Sequence, residues 1–141
     1  MEDDFFGSLL FVECKQPGHS YFEGRRLFRP TGHLLDLAVD GELPGPGAAQ
    51  YAFYEQVEAR YTELVPAVQQ LIENEARHWL RPAGIRDFIA EFWPVHISIP
   101  TITSEVESME WELAFETVHD KNHTFTIMLQ GVTPRQLCID G

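Results

Sequence analysis

Seven consecutive residues constrain this chain more than any others. Glu110, Glu112, Ala114 and Glu116 alternate with Trp111, Leu113 and Phe115. Side chains of an extended strand point to opposite faces in turn. A period of two therefore puts three carboxylates on one side and three large apolar groups on the other. The segment reads as a strand buried on one face and wet on the other, which is the habit of antiparallel sheets.

The same alternation recurs. Leu35, Leu37 and Val39 alternate with Asp36, Ala38 and Asp40. Val95, Ile97 and Ile99 alternate with His96 and Ser98. Phe125, Ile127 and Leu129 alternate with Thr124, Thr126 and Met128, and Leu137 and Ile139 close a final strand. Nearer the start, Phe6 to Cys14 reads as a buried apolar strand and Tyr21-Phe22 as a short one, with a turn or bulge at Gly24. Turns are expected around Pro17-Gly18, at Pro30 to Gly32, at His119 to His123 and at Gly131 to Pro134. The last two connections are short, so the strands they join must pair antiparallel.

Between the strand blocks the period changes. Ala49, Phe53, Val57, Tyr61, Leu64, Val68, Leu71 and Ile72 recur at three- and four-residue steps, which predicts a helical segment over 48–79. It begins after the loop Gly41 to Gly47. Pro66 lies inside it, lacks a backbone donor and crowds the carbonyl of Thr62, which predicts a kink or break near Leu64 and Val65. Pro82 and Gly84 are expected to stop it. Ile85, Phe88, Ile89 and Phe92 predict a second, short helix ending around Trp93, ahead of Pro94. The order strands, helices, strands predicts an α+β fold. An antiparallel sheet would carry the helices on one face, in a single domain over 1–141.

Composition bears on partners. The chain has 22 carboxylates against 10 Lys and Arg, a net charge of −12 over 141 residues. Such a charge repels nucleic acid and anionic membranes, and suits either solubility or a basic partner. The acidic start Met-Glu-Asp-Asp-Phe-Phe is unlike a signal peptide, and no stretch is long enough to span a bilayer, so a cytoplasmic protein is expected. Cys14 and Cys138 are too far apart for a metal knuckle or a redox pair and are expected to be buried, reduced thiols. There is no P-loop, dinucleotide fingerprint or nucleophile elbow, so no cofactor and no catalytic residue is assigned.

Three clusters remain. Glu105, Glu107, Glu110, Glu112 and Glu116 form an acidic patch, which is either a solvated sheet face or a docking surface for a basic protein. Arg25, Arg26 and Arg29 fit cross-strand ion pairs. His119 and His123 flank one turn, with Asp120 beside them and His96 on a nearby strand. These offer an alternative, a small metal-dependent hydrolase, although their spacing matches no zinc signature.

Three further stretches are Tyr21-Phe22-Glu23-Gly24 leading into Gly32 to Leu37, Gln50 to Glu55 at the helix start, and Thr124 to Ile127 leading to Leu137 to Gly141. Together they resemble small bacterial domains found beside polymorphic toxins and secretion-system effectors, where such domains are taken to be immunity proteins. The resemblance implies a non-catalytic binder that neutralises a basic toxin or effector, and it brings no catalytic residues. An acidic structural subunit is the other alternative.

Overall fold

A computed structural model describes residues 1–76, 84–103 and 108–141. The strands are β1 (Glu2–Asp3), β2 (Gly7–Ser8), β3 (Leu10–Val12), β4 (Tyr21–Phe28), β5 (His33–Asp40), β6 (Phe92–Ile99), β7 (Glu110–Thr117), β8 (Asp120–Gln130) and β9 (Thr133–Asp140). Two helices, α1 (Ala48–Glu75) and α2 (Phe88–Glu91), lie between β5 and β6. β1 and β2 form a small ribbon. β3 to β9 form a seven-stranded sheet in sequence order. Every neighbour in that sheet is antiparallel except β5 and β6, which run parallel. The fold is α+β, as the period changes predict. The parallel junction is the place where the chain crosses over through α1, because parallel neighbours cannot be joined by a tight turn.

The predicted register holds on β7. Trp111, Leu113 and Phe115 are buried, Glu110 and Glu116 are exposed, and Glu112 is half-buried. The covered face is aromatic. Phe53 of α1 meets Trp111 edge-on at 5.3 Å, and Phe28 of β4 meets Tyr61 at 5.2 Å. The indole of Trp111 donates to the Gly131 carbonyl, 2.7 Å away, so its polar edge is satisfied in the core.

α1 is fastened at its first turn. The buried Gln50 donates from Nε2 to the Asp40 carbonyl at 2.7 Å and to the Pro100 carbonyl at 2.9 Å. Its Oε1 accepts the Gly47 N–H at 3.2 Å. One amide thus ties the helix start to the ends of both parallel strands. Farther along, Tyr51 donates to Asp3 at 2.6 Å, and Asp3 also accepts the backbone N–H groups of Phe5 and Phe6. This carboxylate pushes the Tyr51 phenol up to about 12. The N-terminal ribbon is thereby strapped across the helix, with Phe5 stacked on Tyr51 at 4.9 Å.

Several expectations are corrected. The predicted strand from Phe6 to Cys14 is split into β2 and β3, and Cys14 lies beyond them, exposed. Cys138 is exposed as well, because its parity on β9 points it to the uncovered face. Gly24 is neither turn nor bulge; β4 runs straight through it. A Cβ there would meet Leu9 Cδ2 at 2.5 Å, so the glycine makes room for the buried Leu9 laid over the strand.

α1 continues through Pro66 as one helix, so the break is absent, and Tyr61, Leu64 and Val68 on either side of the proline are all buried. It ends at Glu75, capped by the Ala76 N–H donating to the Ile72 carbonyl at 2.8 Å. Residues 77–79 of the predicted helix and Pro82 lie outside the described residues. Its inner face includes Gln50 and Tyr54, while Ala49 is exposed. The second helix is a single turn. Phe92 and Pro94 belong to β6, where Phe92 pairs with Thr117 and Pro94 with Phe115, and Ile89 is exposed. The polar turn predicted over His119 to His123 shrinks, because β8 already begins at Asp120.

Replacing Gln50 with Leu keeps its bulk and leaves the Asp40 and Pro100 carbonyls without their donor. The expected loss is about 1–3 kcal/mol. Urea unfolding should show a lower midpoint at unchanged slope. A variant as stable as the parent would show that water replaces the amide.

Candidate functional site

One face of the sheet carries the helices; the other carries nothing among the described residues. Cross-strand partners fix its layout. One row runs Arg25, Asp36, His96, Ala114, Thr126, Cys138 from β4 to β9. The next row runs Glu23, Ala38, Ser98, Glu112, Met128, Gln136. Tyr21 pairs with Asp40 beyond it, and Glu110 with Gln130. Toward the other end Trp93 pairs with Glu116, and Leu27 with Leu34, both of these leucines exposed.

The sequence-predicted Glu110, Glu112 and Glu116 therefore share one open face, as their parity requires. Glu105 and Glu107 lie outside the described residues. What sequence reasoning missed is the rest of the acid. Glu23, Asp36 and Asp40 join the trio on the same face, brought there by the crossover that sets β5 against β6. Their signal was available in the alternation of Asp36 and Asp40 with Leu35, Leu37 and Val39. The parallel neighbour that brings them together was not.

On this face Arg25 is tied to its cross-strand partner Asp36 at 3.0 Å. This is the structural pairing expected of the arginine cluster, and it is the only Lys or Arg ion pair formed there among the described residues. Arg26 turns inward instead. It donates to the Phe5 carbonyl and lies over the Phe5 ring at 4.2 Å and the Tyr54 ring at 5.1 Å. Arg29 receives its support through its backbone N–H, which donates to Glu58 at 3.0 Å.

Between β3, β4, β5 and β6 the open face dips into a hollow of about 760 Å³, where Tyr21, Glu23, Arg25, Asp36, Asp40 and His96 meet. Burial raises the Asp40 carboxyl above its usual range, against the lowering pull of His19. A second, more apolar groove of about 650 Å³ runs between α1 and the β8–β9 turn, past Phe53, Val57, Leu64, Ile102, Trp111 and Val132.

The histidines are not gathered. His96 sits mid-sheet between Asp36 and Ala114. His119 Nε2 lies 2.5 Å from Glu91 Oε1, with its ring 5.6 Å from Phe92. His123 Nδ1 lies 2.6 Å from Asp120, a contact that holds the Asp120 carboxyl below its usual range. Among the described residues no group of three or more His, Cys, Asp or Glu could hold a metal ion. The histidine set proposed for a hydrolase is thus dispersed into two structural pairs and one sheet position.

The His119 pair closes α2 onto the β7–β8 turn. Glu91 Oε2 also accepts the backbone N–H groups of Arg86 and Asp87, and its backbone carbonyl accepts from Val118. Burial pushes the Glu91 carboxyl up, but these N–H groups and His119 together hold it below its usual value. No family model matches the chain, and no curated protein and no solved structure matches it. Among the described residues no helix is long and apolar enough to cross a membrane.

Glu91 titrates lower folded than unfolded. Its contribution is therefore complete above the ordinary glutamate value and is lost as pH falls through the lowered folded value. Glu91→Gln should cost about 1–2 kcal/mol at neutral pH. The gap in melting temperature from the parent should close below about pH 4.3. A gap that persists unchanged at lower pH would assign the effect to packing rather than to charge.

Proposed function

We propose that this chain is a non-catalytic, cytoplasmic immunity-type protein that neutralises a basic toxin or effector domain by covering it with the open sheet face. The observation that carries the reading is the uncovered face itself. Among the described residues Glu23, Asp40, Glu110, Glu112 and Glu116 stand on it without a Lys or Arg ion pair, while Arg25 is already engaged with Asp36.

Like charges on neighbouring positions weaken a sheet, and a partner of opposite charge reverses that cost. A broad field of one sign speeds encounter with a basic surface. The exposed Leu27 and Leu34 at one end of the same face supply apolar contact beside the acid. A nuclease or another enzyme of anionic substrates suits such a partner, because its own site must be positive. The resemblance to immunity domains points the same way, and inhibition by occlusion needs no metal, cofactor or nucleophile.

The experiment uses the product of the adjacent reading frame as the probe. Replacing Glu110, Glu112 and Glu116 together with Gln should slow association about tenfold at low salt and flatten its salt dependence. Folding stability should move by no more than about 0.5 kcal/mol. Co-expression of the parent, but less so of the triple variant, should rescue growth from the toxic frame. Association and dissociation rates both unchanged in the variant would reduce this face to a solvated surface.

A further inference from the structure

Among the described residues β3 and β9 are the two edges of the sheet, and they differ. β3 contributes three residues, and so short an edge offers little to pair with. β9 contributes eight. Edge strands are commonly blunted by proline or by cationic side chains. β9 has both, Pro134 and Arg135, but only at its start. From Gln136 to Asp140 it has neither. Its ladder to β8 uses one side of its backbone. Among the described residues no other element hydrogen-bonds to the backbone of β9, and its one further side-chain bond is internal, Cys138 Sγ donating to the Asp140 carboxylate at 3.6 Å. Leu137 and Ile139, on the covered face, pack against the rim of the core yet stay half-exposed, and among the described residues no further strand lies beside them.

We propose that this edge joins two copies of the chain, β9 to β9 and antiparallel, so that the sheet continues across a twofold axis beside Cys138. Residues opposite each other in an antiparallel pair share a face, which restricts where the axis can fall. An axis beside Cys138 sets Cys138 against itself. Leu137 then lies opposite Ile139 of the partner subunit, and Gln136 opposite Asp140 of the partner subunit. Each contact occurs twice, as an isologous interface requires.

The pairs suit one another. Two aliphatic side chains meet on the covered face and extend the core, and on the open face a neutral amide donor meets a carboxylate. An axis one residue earlier, beside Leu137, would set Arg135 against Ile139 and draw Pro134 into the ladder, where it has no N–H to give. The axis beside Cys138 leaves Pro134 and Arg135 outside the joined segment.

This inference does not rest on the function proposed above, and salt separates the two. Two bodies of net charge −12 repel at long range, so screening should strengthen their association, whereas screening weakens the capture of a basic partner.

Sedimentation equilibrium of the full chain tests the inference. Mass should rise from 16.2 kDa toward twice that value with concentration. The rise should come at lower concentration as salt goes from about 0.1 M to about 1 M, where the screening length falls from roughly 10 to roughly 3 Å. Ile139→Lys should weaken association at least tenfold, with circular dichroism reporting its fold. Cross-linking covers the case in which that variant is damaged. Cys14→Ser leaves one thiol, and Cβ atoms of directly opposed residues lie about 4.5–5.5 Å apart, within reach of a short dithiol reagent. The Cys14→Ser protein should cross-link to a dimer, and Cys138→Ser should not. A chain of 16.2 kDa throughout would overturn the proposal. So would a dimer that is indifferent to Ile139→Lys, or one that fails to cross-link through Cys138.

Discussion

The amide of Gln50 is the contact on which the rest of this structure depends. Parallel neighbours must be joined by a long excursion, and the excursion between β5 and β6 passes through α1. A helix that merely drifted across the sheet would leave the two strands without a common boundary. Gln50 sets that boundary by donating to one carbonyl at the end of β5 and to another just past β6. The helix start, the parallel junction and the side of the sheet that is covered are thereby decided together. The bare face follows from that choice as much as from the residues that line it.

Around this clasp the polar groups of the covered side are used as fittings. Asp3 binds the N-terminal ribbon to Tyr51, Arg26 lies flat on Phe5 and Tyr54, and Trp111 hands its N–H to Gly131. Glu91 gathers two backbone N–H groups and His119, so that the short α2 is held by its last residue. None of these contacts gathers His96, His119 and His123 in one place, and among the described residues no group of three or more His, Cys, Asp or Glu could hold a metal ion.

The parts legible in the sequence were those governed by local periodicity. Trp111, Leu113 and Phe115 announce their side of β7 with no help from elsewhere, and the three- and four-residue steps from Phe53 to Ile72 announce α1. Interactions between distant segments were not legible. Gly24 looks like a turn until Leu9 is laid across it. Gln50, a polar residue at the head of a helix, gives no sign of being buried. Phe92 fits a helix by spacing but is taken by β6, because Thr117 offers it a ladder. Cys138 looks like an apolar strand residue, yet parity sends it outward. The acidic trio was visible on its strand, but the face it shares with Glu23, Asp36 and Asp40 exists only once β5 and β6 are neighbours.

The sequence order of the sheet has a kinetic consequence. β3 to β5 and β6 to β9 each join strands adjacent in the chain, through connections that close cheaply. The pairing of β5 with β6 alone spans roughly fifty residues, and its closure entropy must be met before its contacts return anything. The fold is in this sense two meanders with one late seam. A chain cut within that span would leave each half with its own hairpins intact, and reassembly of the halves would fall to the β5–β6 ladder and to the packing of α1.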